Sequence, residues 1–484
     1  MIRRIQMLIN GVWEDALSED WTVIRNPATG DPVAEVPVGG REEARMALEA
    51  AQRAFPNWAG VSTEERARLL HRAADLLRER LEEISRWLTL EQGKPIRDAR
   101  KEIAWTARVF DYYAEEGKRI FGEWIPTGSP HIRSLVIRQP VGVAAVIAPW
   151  NYPVELLAWK VTPALAAGCT VVAKPASAAP VAAAEMIRAL HDAGLPPGTI
   201  NLVLGPGRTV GAELVDNPIA RKIAFTGETE TGRWIMKRAA HSIKRVSLEL
   251  GGQSPMIVCR DADLEKAVAA GVRRAFSNMG QICISVNRIY VDEKIADAFI
   301  ARFVERTRSL RIGNGLDPEV ELGPMFNEEV RQKTREHIAD AVSKGAQVLC
   351  GGHEPAGEEF RRGYFFLPTV LTEVDHSMRV MREETFGPVA PIMRFRNLDE
   401  AIALANDSPY GLAAYVFTRD LYTAFYIAER LEAGGIGVNI NDVTELQAPF
   451  GGWKESGLGR ELGRWGLESY LELKHIRIAL DSVG

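Results

Sequence analysis

Cysteine is scarce in this sequence: Cys169, Cys259, Cys283 and Cys350 are the only four in a chain of 484 residues. No two share a CxxC spacing, and no histidines accompany them in a zinc-binding pattern. That excludes a disulfide-stapled scaffold and an ordinary zinc site, so no metal is expected, and the thiols suit the reducing cytoplasm. Long apolar runs are missing too. The longest, Val141 to Pro149, falls far below the roughly 20 residues that cross a bilayer and reads as a buried strand. The N-terminus, Met1-Ile-Arg-Arg-Ile-Gln-Met-Leu-Ile-Asn10, has basic residues but neither the apolar core nor the cleavage site of a secretion signal. Basic residues are not in excess: 59 Lys and Arg stand against 64 Asp and Glu, a formal net charge of −5. Neither nucleic acid nor an anionic membrane would find a footprint here. Fixed-period repeats, low-complexity segments and long linkers are likewise missing. What remains is an ordinary globular composition, 46% hydrophobic and 25% charged, in a chain long enough for about three domains.

The first 40 residues read as strands and turns, with Asn26-Pro-Ala-Thr-Gly30 as one turn. From Glu42 to Arg119 the period is helical: Ala44, Leu48, Ala51 and Phe55 share a face, and Ser62-Thr-Glu-Glu65 opens the next helix as a capping box. Short apolar runs then alternate with helices. The runs are Val141–Ile147, Thr170–Ala173, Ile200–Leu204, Ile223–Phe225 and Val246–Leu248, and the helices include Pro180–Ala193 and Glu230–His241. A second series begins near Ser254, with a strand at Met256–Val258 and a helix at Leu264–Phe276, and runs on through strands near Arg288–Val291, Val348–Leu349, Leu412–Phe417 and Ile436–Val438. The pattern predicts an α/β protein with mostly parallel sheets. Two segments differ: Ile132–Arg138 and Ser469–Leu480 alternate apolar and polar residues, which predicts a small antiparallel sheet suited to subunit contacts.

Four groups could carry chemistry. A lone cysteine is usually a small core hydrophobe, and Cys169, Cys259 and Cys350 read that way beside apolar strands. Cys283 differs, in the polar, turn-like setting of Asn278-Met-Gly-Gln-Ile-Cys283. Glu249 ends a strand before Gly251-Gly252, where α/β folds place their crevices. Gly227-Glu-Thr-Glu-Thr-Gly232 lacks the GxGxxG spacing, yet a glycine turn into a helix N-terminus favours phosphate. Lys174-Pro-Ala-Ser177 could offer an ammonium and a hydroxyl to a ribose or phosphate.

Taken in order, the blocks Pro149-Trp-Asn-Tyr-Pro153, Lys174-Pro-Ala-Ser177, Phe225-Thr-Gly227, Glu249-Leu-Gly-Gly252, Gly280-Gln-Ile-Cys283, Glu383-Glu-Thr-Phe-Gly-Pro388 and Pro449-Phe-Gly-Gly452 resemble the NAD(P)-dependent aldehyde dehydrogenase superfamily. The likeness runs from about Leu8 to about Leu480. Leu90-Glu-Gln-Gly-Lys-Pro95, Ala114-Glu-Glu-Gly-Lys-Arg119 and Pro163-Ala-Leu-Ala-Ala-Gly-Cys169 make it most similar to bacterial succinate-semialdehyde dehydrogenases.

The resemblance implies a Rossmann-like NAD(P)-binding domain (1–123 and 141–250), an α/β catalytic domain (251–450), and oligomerisation strands (124–140 and 466–484) of a homodimer or homotetramer. It implies Cys283 as the nucleophile, Asn151 and the Cys283 N–H as the oxyanion hole, and Glu249 as the base that hydrolyses an acyl-thioester. Lys160 and Glu461 would relay the proton outward. For NAD or NADP, Lys174 would bond the adenosine ribose, Glu384 the nicotinamide ribose with Phe386 against it, and Gly227 and Glu228 would lie under the pyrophosphate. Ile147, Pro149, Trp150, Gly207, Phe225, Leu250 and Gly251 would complete the cofactor site. NAD-preferring members often carry glutamate where this chain has Ser177, so NADP is expected to be accepted.

The match also departs. Semialdehyde enzymes grip a distal carboxylate with two arginines, and Trp159 and Ser277 stand at those positions. The expected pocket is Tyr152, Glu155, Leu156, Trp159, Ser277, Ile282, Ile284, Thr444 and Phe450. Glu155 and Glu445 would repel a carboxylate if they face it, and Arg108 is the candidate cation to rescue one. Ser285 replaces a possible second cysteine, so no disulfide switch is expected beside Cys283. The expectation is hydrolytic oxidation of an aldehyde, with succinate semialdehyde as the specific alternative. A CoA-acylating relative or a catalytically inert structural one is disfavoured by Glu249 and by the full set of Asn151, Glu249 and Cys283.

Overall fold

The computed structural model describes residues 2–480. Its first sheet has eight strands in the spatial order Gly457–Leu458, Arg245–Glu249, Ala220–Thr226, Val143–Ile147, Thr170–Lys174, Ile200–Leu202, Met7–Ile9 and Val12–Glu14. The five central strands from Arg245–Glu249 to Ile200–Leu202 are parallel, and antiparallel pairs close both edges. The sequence explains this: Val143–Val146 and Thr170–Lys174 are buried throughout, as strands covered by helices on both faces must be. Helices such as Glu155–Ala167 and Val181–Asp192 supply that cover. The register lines up Lys174 with Ile147, Ile147 with Phe225, and Thr226 with Glu249. The residues singled out at strand ends therefore form one row along the carboxyl edge, where open α/β sheets bind ligands.

A seven-stranded sheet follows, ordered Gln347–Cys350, Thr369–Thr372, Val389–Phe395, Val286–Asp292, Ser254–Val258, Ala413–Phe417 and Gly435–Val438. Only its first pair is antiparallel. Just four residues, Leu250 to Gln253, link the last central strand of the first sheet to Ser254–Val258, so the two sheets meet at Gly251-Gly252. A third, antiparallel sheet joins Leu471–Ala479, Ile132–Pro140 and Glu123–Ile125, the long pair in register from Leu471↔Pro140 to Ala479↔Ile132. The last four residues of the segment 466–484 lie outside the described residues.

Several boundaries shift from the sequence expectation. The strand expected from Val141 starts at Val143, because Gly142 turns the chain at φ 127°. The one expected from Ser469 starts at Leu471, after a short helix, Gly463–Glu468, and the turn that follows. In the helix Arg41–Ala59, Phe55 is only half-buried and Trp58 takes the buried place on that face. The Ser62 side chain does cap its helix, accepting the Glu65 N–H at 3.2 Å. Among the described residues no helix is long and apolar enough to cross a membrane.

Candidate active site

Cys283 sits in a turn between the helix Leu264–Phe276 and the strand Val286–Asp292. The chain reaches it through three consecutive left-handed residues, Asn278 (φ 49°), Met279 (φ 59°) and Gly280 (φ 70°), a strained path of the kind found at functional sites. Only glycine fits at 280, since a Cβ there would stand 2.2 Å from the Gly387 carbonyl oxygen. The strain is held by side chains: Gln281 donates to the Asn278 carbonyl (2.8 Å) and accepts from the Phe326 N–H (2.9 Å). Beyond Cys283, the Tyr415 hydroxyl donates to the Ile284 carbonyl (2.8 Å), and the Ser285 hydroxyl donates to the Arg274 carbonyl (3.0 Å). Gly252 approaches so closely that a Cβ would lie 2.1 Å from the Cys283 carbonyl oxygen. Burial, then the Glu384 and Glu249 carboxylates, push the Cys283 thiol up to about 12, so a thiolate forms only as a base takes its proton.

Asn151 is buried beside this turn. One amide hydrogen goes to the Gln281 carbonyl at 3.0 Å, which leaves the second for another acceptor. The Cys283 backbone N–H donates to no other described residue. Two donors are thus available near the sulfur. Asn151 is itself held from behind: its carbonyl accepts from Lys94 Nζ (2.9 Å) and Asn278 Nδ2 (3.2 Å). Lys94 is ion-paired with Glu102, whose other oxygen accepts the N–H groups of Val154 (3.1 Å) and Glu155 (3.3 Å) where the next helix begins. The sequence reading assigned no role to Lys94, Glu102 or Asn278.

Glu249 is 2% exposed, and neither carboxylate oxygen has a hydrogen-bond partner among the described residues. Burial and the nearby Glu461 carboxylate hold its proton affinity well above the usual carboxylate range, with Lys160 and Arg460 acting the other way. Lys160 and Glu461 are buried and paired at 2.8 Å, and Lys160 also donates to the Leu156 carbonyl at 3.2 Å.

On one side Cys283 opens into a cavity lined by all nine expected pocket residues: Tyr152, Glu155, Leu156, Trp159, Ser277, Ile282, Ile284, Thr444 and Phe450. Trp159 packs edge-on against Phe450, with ring centroids 5.1 Å apart. Lys94, Asp98, Lys101, Glu102, Trp105, Arg273, Arg274 and Asp442 also line it and were not foreseen. Most of these charges are paired: Lys94 with Glu102, Lys101 with Asp98 (2.8 Å), Arg274 with Asp442 (2.7 Å). Among the described residues Glu155 and Arg273 have no such partner. Burial, then Glu102, raise the Glu155 carboxyl to about 8. Two expectations are corrected. Glu445 is exposed, off the cavity, and turned to the Leu446 N–H at 3.2 Å. Arg108 also lies off it, exposed with its guanidinium 4.7 Å from the Trp105 ring centroid. The helix Ile96–Glu116 turns Asp98, Lys101, Glu102 and Trp105 toward the cavity at spacings of three and four, and Arg108 falls one turn beyond them.

On its other side Cys283 opens into a cleft lined by Pro149, Trp150, Gly227, Glu228, Leu250, Gly251, Glu384 and Phe386. Trp150 stacks on Phe326 (4.1 Å between centroids, 7° between planes) and meets Phe386 edge-on at 5.6 Å. Ile147, Lys174, Ser177, Gly207 and Phe225 are not in that lining but continue along the same carboxyl edge. The polar groups suit a dinucleotide. Lys174 is buried with the Pro175 carbonyl (3.2 Å) as its only acceptor among the described residues, and burial lowers its ammonium to about 8. The Thr226 hydroxyl is buried without a partner. Glu384 accepts the Gly252 N–H at 2.8 Å through one oxygen, and burial raises it to about 7. The Ser177 hydroxyl donates to the Gly205 carbonyl at 2.7 Å. Lys174 and Thr226 are buried, and Glu384 is half-buried, without the full partner set that such polar groups require.

Residues 13–476 match the family model described as the aldehyde dehydrogenase family. The chain is 46% identical over 479 residues to an NADP+ succinate-semialdehyde dehydrogenase of Escherichia coli K12, covering 99% of this chain and 98% of the relative. It is 45% identical to a glutarate-semialdehyde dehydrogenase of Pseudomonas putida, with the same coverage. Among solved structures, betaine aldehyde dehydrogenase of Staphylococcus aureus in complex with NAD+ superposes with a TM-score of 0.97 at 38% identity, covering 99% of this chain and 95% of that one.

Proposed function

The chain belongs to the aldehyde dehydrogenase family and oxidises aldehydes with NAD(P)+, and on that premise we propose that Cys283, Asn151 and Glu249 turn a neutral aldehyde into its carboxylic acid by hydrolysis of an enzyme-bound thioester. One observation carries this reading: Cys283 and Asn151, with Leu156, line both cavities and so stand where the two meet. The Cys283 sulfur attacks the aldehyde carbon, and its proton leaves to a base. The carbonyl oxygen becomes an oxyanion that the second Asn151 amide hydrogen and the Cys283 N–H stabilise; one such donor is worth ~3 kcal/mol in the transition state. NAD(P)+ supplies the oxidant for conversion of the thiohemiacetal to the thioester. Glu249, unpartnered and with raised proton affinity, then takes a proton from the water that attacks the thioester, releasing the acid and restoring the thiol. Lys160 and Glu461 pass that proton on. Glu249 favours water over CoA as the acceptor. Formation of NAD(P)H from aldehyde without CoA tests this, and a strict requirement for CoA contradicts it.

Lys174, Ser177 and Gly207 would hold the adenosine half of the cofactor, Gly227 and Glu228 the pyrophosphate, and Glu384 with Phe386 the nicotinamide ribose. The row of strand ends supports 1–123 and 141–250 as the cofactor-binding part, and 251–450 as the catalytic part. Serine at 177 leaves room for a 2′-phosphate, to which its hydroxyl can turn by giving up the Gly205 carbonyl, whereas glutamate would repel it. Ser177→Glu is expected to lower kcat/KM with NADP by more than about tenfold relative to NAD. An unchanged ratio would show that the side chain is remote from the 2′ position.

The substrate reading turns on charge. Lys94, Lys101 and Arg274 are all engaged by carboxylates and Arg273 is exposed, while Glu155 faces the cavity unpaired among the described residues. A substrate carboxylate set beside Glu155 would be desolvated there without compensation, at a cost of several kcal/mol; among the described lining residues the one cation not already paired is Arg273, which is exposed to solvent. Neutral aldehydes are therefore expected to show higher kcat/KM than succinate semialdehyde. Because Glu155 ionises near pH 8, the discrimination grows as pH rises from 7 to 9, and Glu155→Gln removes that growth. One observation favours an anionic substrate instead: Arg274 lines the cavity beside Arg273 and can exchange Asp442 for a substrate carboxylate, which agrees with the succinate and glutarate semialdehydes for which two of the relatives are named. A clear preference for succinate semialdehyde over a neutral aldehyde of equal length decides for that reading.

Exposed Trp124 and Leu473 on the three-stranded sheet support it as the subunit contact of a homodimer or homotetramer. The four free thiols suit the cytoplasm.

A further inference from the structure

Gln253 has no part in the mechanism above, yet it is 2% exposed at the seam between the two large sheets. Its side-chain amide donates to the carbonyls of Glu383 (3.1 Å) and Val380 (3.4 Å), and its side-chain carbonyl accepts from the Ser408 hydroxyl (3.2 Å). Its backbone carbonyl accepts two hydrogen bonds from Arg288, at 3.1 and 2.9 Å. Arg288 is itself fully buried and fixed by the carbonyls of Leu404 (3.1 Å) and Ala405 (2.9 Å). The preceding residue, Gly252, donates its N–H to the Glu384 carboxylate. Two adjacent residues thus hold two adjacent residues, the backbone amide of Gly252 on the Glu384 side chain and the side-chain amide of Gln253 on the Glu383 backbone. The opposite side of the segment is held by His337, hydrogen-bonded to the Thr385 hydroxyl (3.0 Å), while its other ring nitrogen lies 3.3 Å from the Glu383 carboxylate without a hydrogen bond.

We infer that Gln253 is a positioning residue for the cofactor: by fixing the Glu383 carbonyl it sets where the Glu384 carboxylate stands in the cleft. This rests on the reading of Glu384 as the ligand of the nicotinamide ribose. The reach is specific to glutamine. Asparagine is one methylene shorter, and methionine has the length without the donors. A buried amide aligned by three side-chain hydrogen bonds gives Glu384 a fixed starting point, so less order must be imposed when the cofactor binds.

Binding of NADP+ to the full-length enzyme, followed by quenching of tryptophan fluorescence (Trp150 lines the cleft), tests the inference without turnover. Gln253→Met is expected to raise the Kd about fivefold, the worth of one ordinary hydrogen bond, and to raise KM for NADP+ more than it lowers kcat. Glu384→Gln is expected to weaken binding on its own, and Gln253→Met to add less than about twofold when combined with it. Ser408→Ala, which frees one end of the amide, shifts Kd in the same direction by a smaller factor and serves if Gln253→Met does not fold. An unchanged Kd in the foldable variant, or fully multiplicative effects in the double variant, overturns the inference while Glu384 keeps its role. If Glu384→Gln leaves Kd unchanged, the reading of Glu384 fails and the inference falls with it.

Discussion

Cys283→Ala is expected to lose aldehyde oxidation by more than about 10⁴-fold, because no other group in the cavity can form the thioester. NADP+ should still bind with near-normal affinity, since Trp150, Gly227, Glu228 and Glu384, which line the cleft with Cys283, are left in place. Cys169→Ala, Cys259→Ala and Cys350→Ala serve as controls and should retain most turnover. Cys169 is buried and Cys259 is raised by burial to about 12, so both behave as small core side chains. Cys350 lies half-buried on an edge strand of the second sheet. Steady-state NADPH formation separates the four variants, and retained turnover in Cys283→Ala would remove the basis of the mechanism.

Glu249→Gln is expected to split the reaction in two. The acyl-enzyme should still form, giving a pre-steady-state burst of NADPH, while steady turnover falls by about 10²–10⁴-fold as the general base is lost. The pH dependence sharpens this. Burial and Glu461 raise the Glu249 carboxyl, so its basic form, and with it deacylation, increases as pH rises above the usual carboxylate range. In Glu249→Gln the steady rate should lose that rise. The burst should keep its own, because the Cys283 thiol, pushed up to about 12, also yields more thiolate at higher pH. If the burst vanishes together with turnover, Glu249 acts on the thiol before acylation rather than on water after it.

The elements that set this chemistry were legible to different degrees. The strands ending at Lys174, Thr226 and Glu249 follow from short apolar runs, because a strand buried on both faces leaves little choice of residue. The register that puts their ends in one row is a property of the sheet, which periodicity does not encode. The turn before Cys283 was visible as a polar, glycine-containing stretch, but its left-handed run at Asn278 and Met279 was not, since neither residue demands a positive φ. The cavity was read most poorly at its charged rim. Its charges come from helix phase: Asp98, Lys101, Glu102 and Trp105 share a face, and one turn separates them from Arg108. The Lys94–Glu102 pair behind Asn151 joins residues eight apart through a fold in the chain. A lysine after glycine and a mid-helix glutamate carry no local sign of such a pairing.

The central claim is that an acyl group from the substrate rests on Cys283 and is removed by water. Mass analysis of Glu249→Gln tests it most directly, with the enzyme mixed with a neutral aldehyde and NADP+ in the absence of CoA, then quenched in acid and digested. The peptide containing Cys283 is expected to gain the mass of the aldehyde less two hydrogens, the signature of a thioester rather than a thiohemiacetal. An unmodified Cys283 peptide while NADPH accumulates, or the same mass on another residue, would contradict the account.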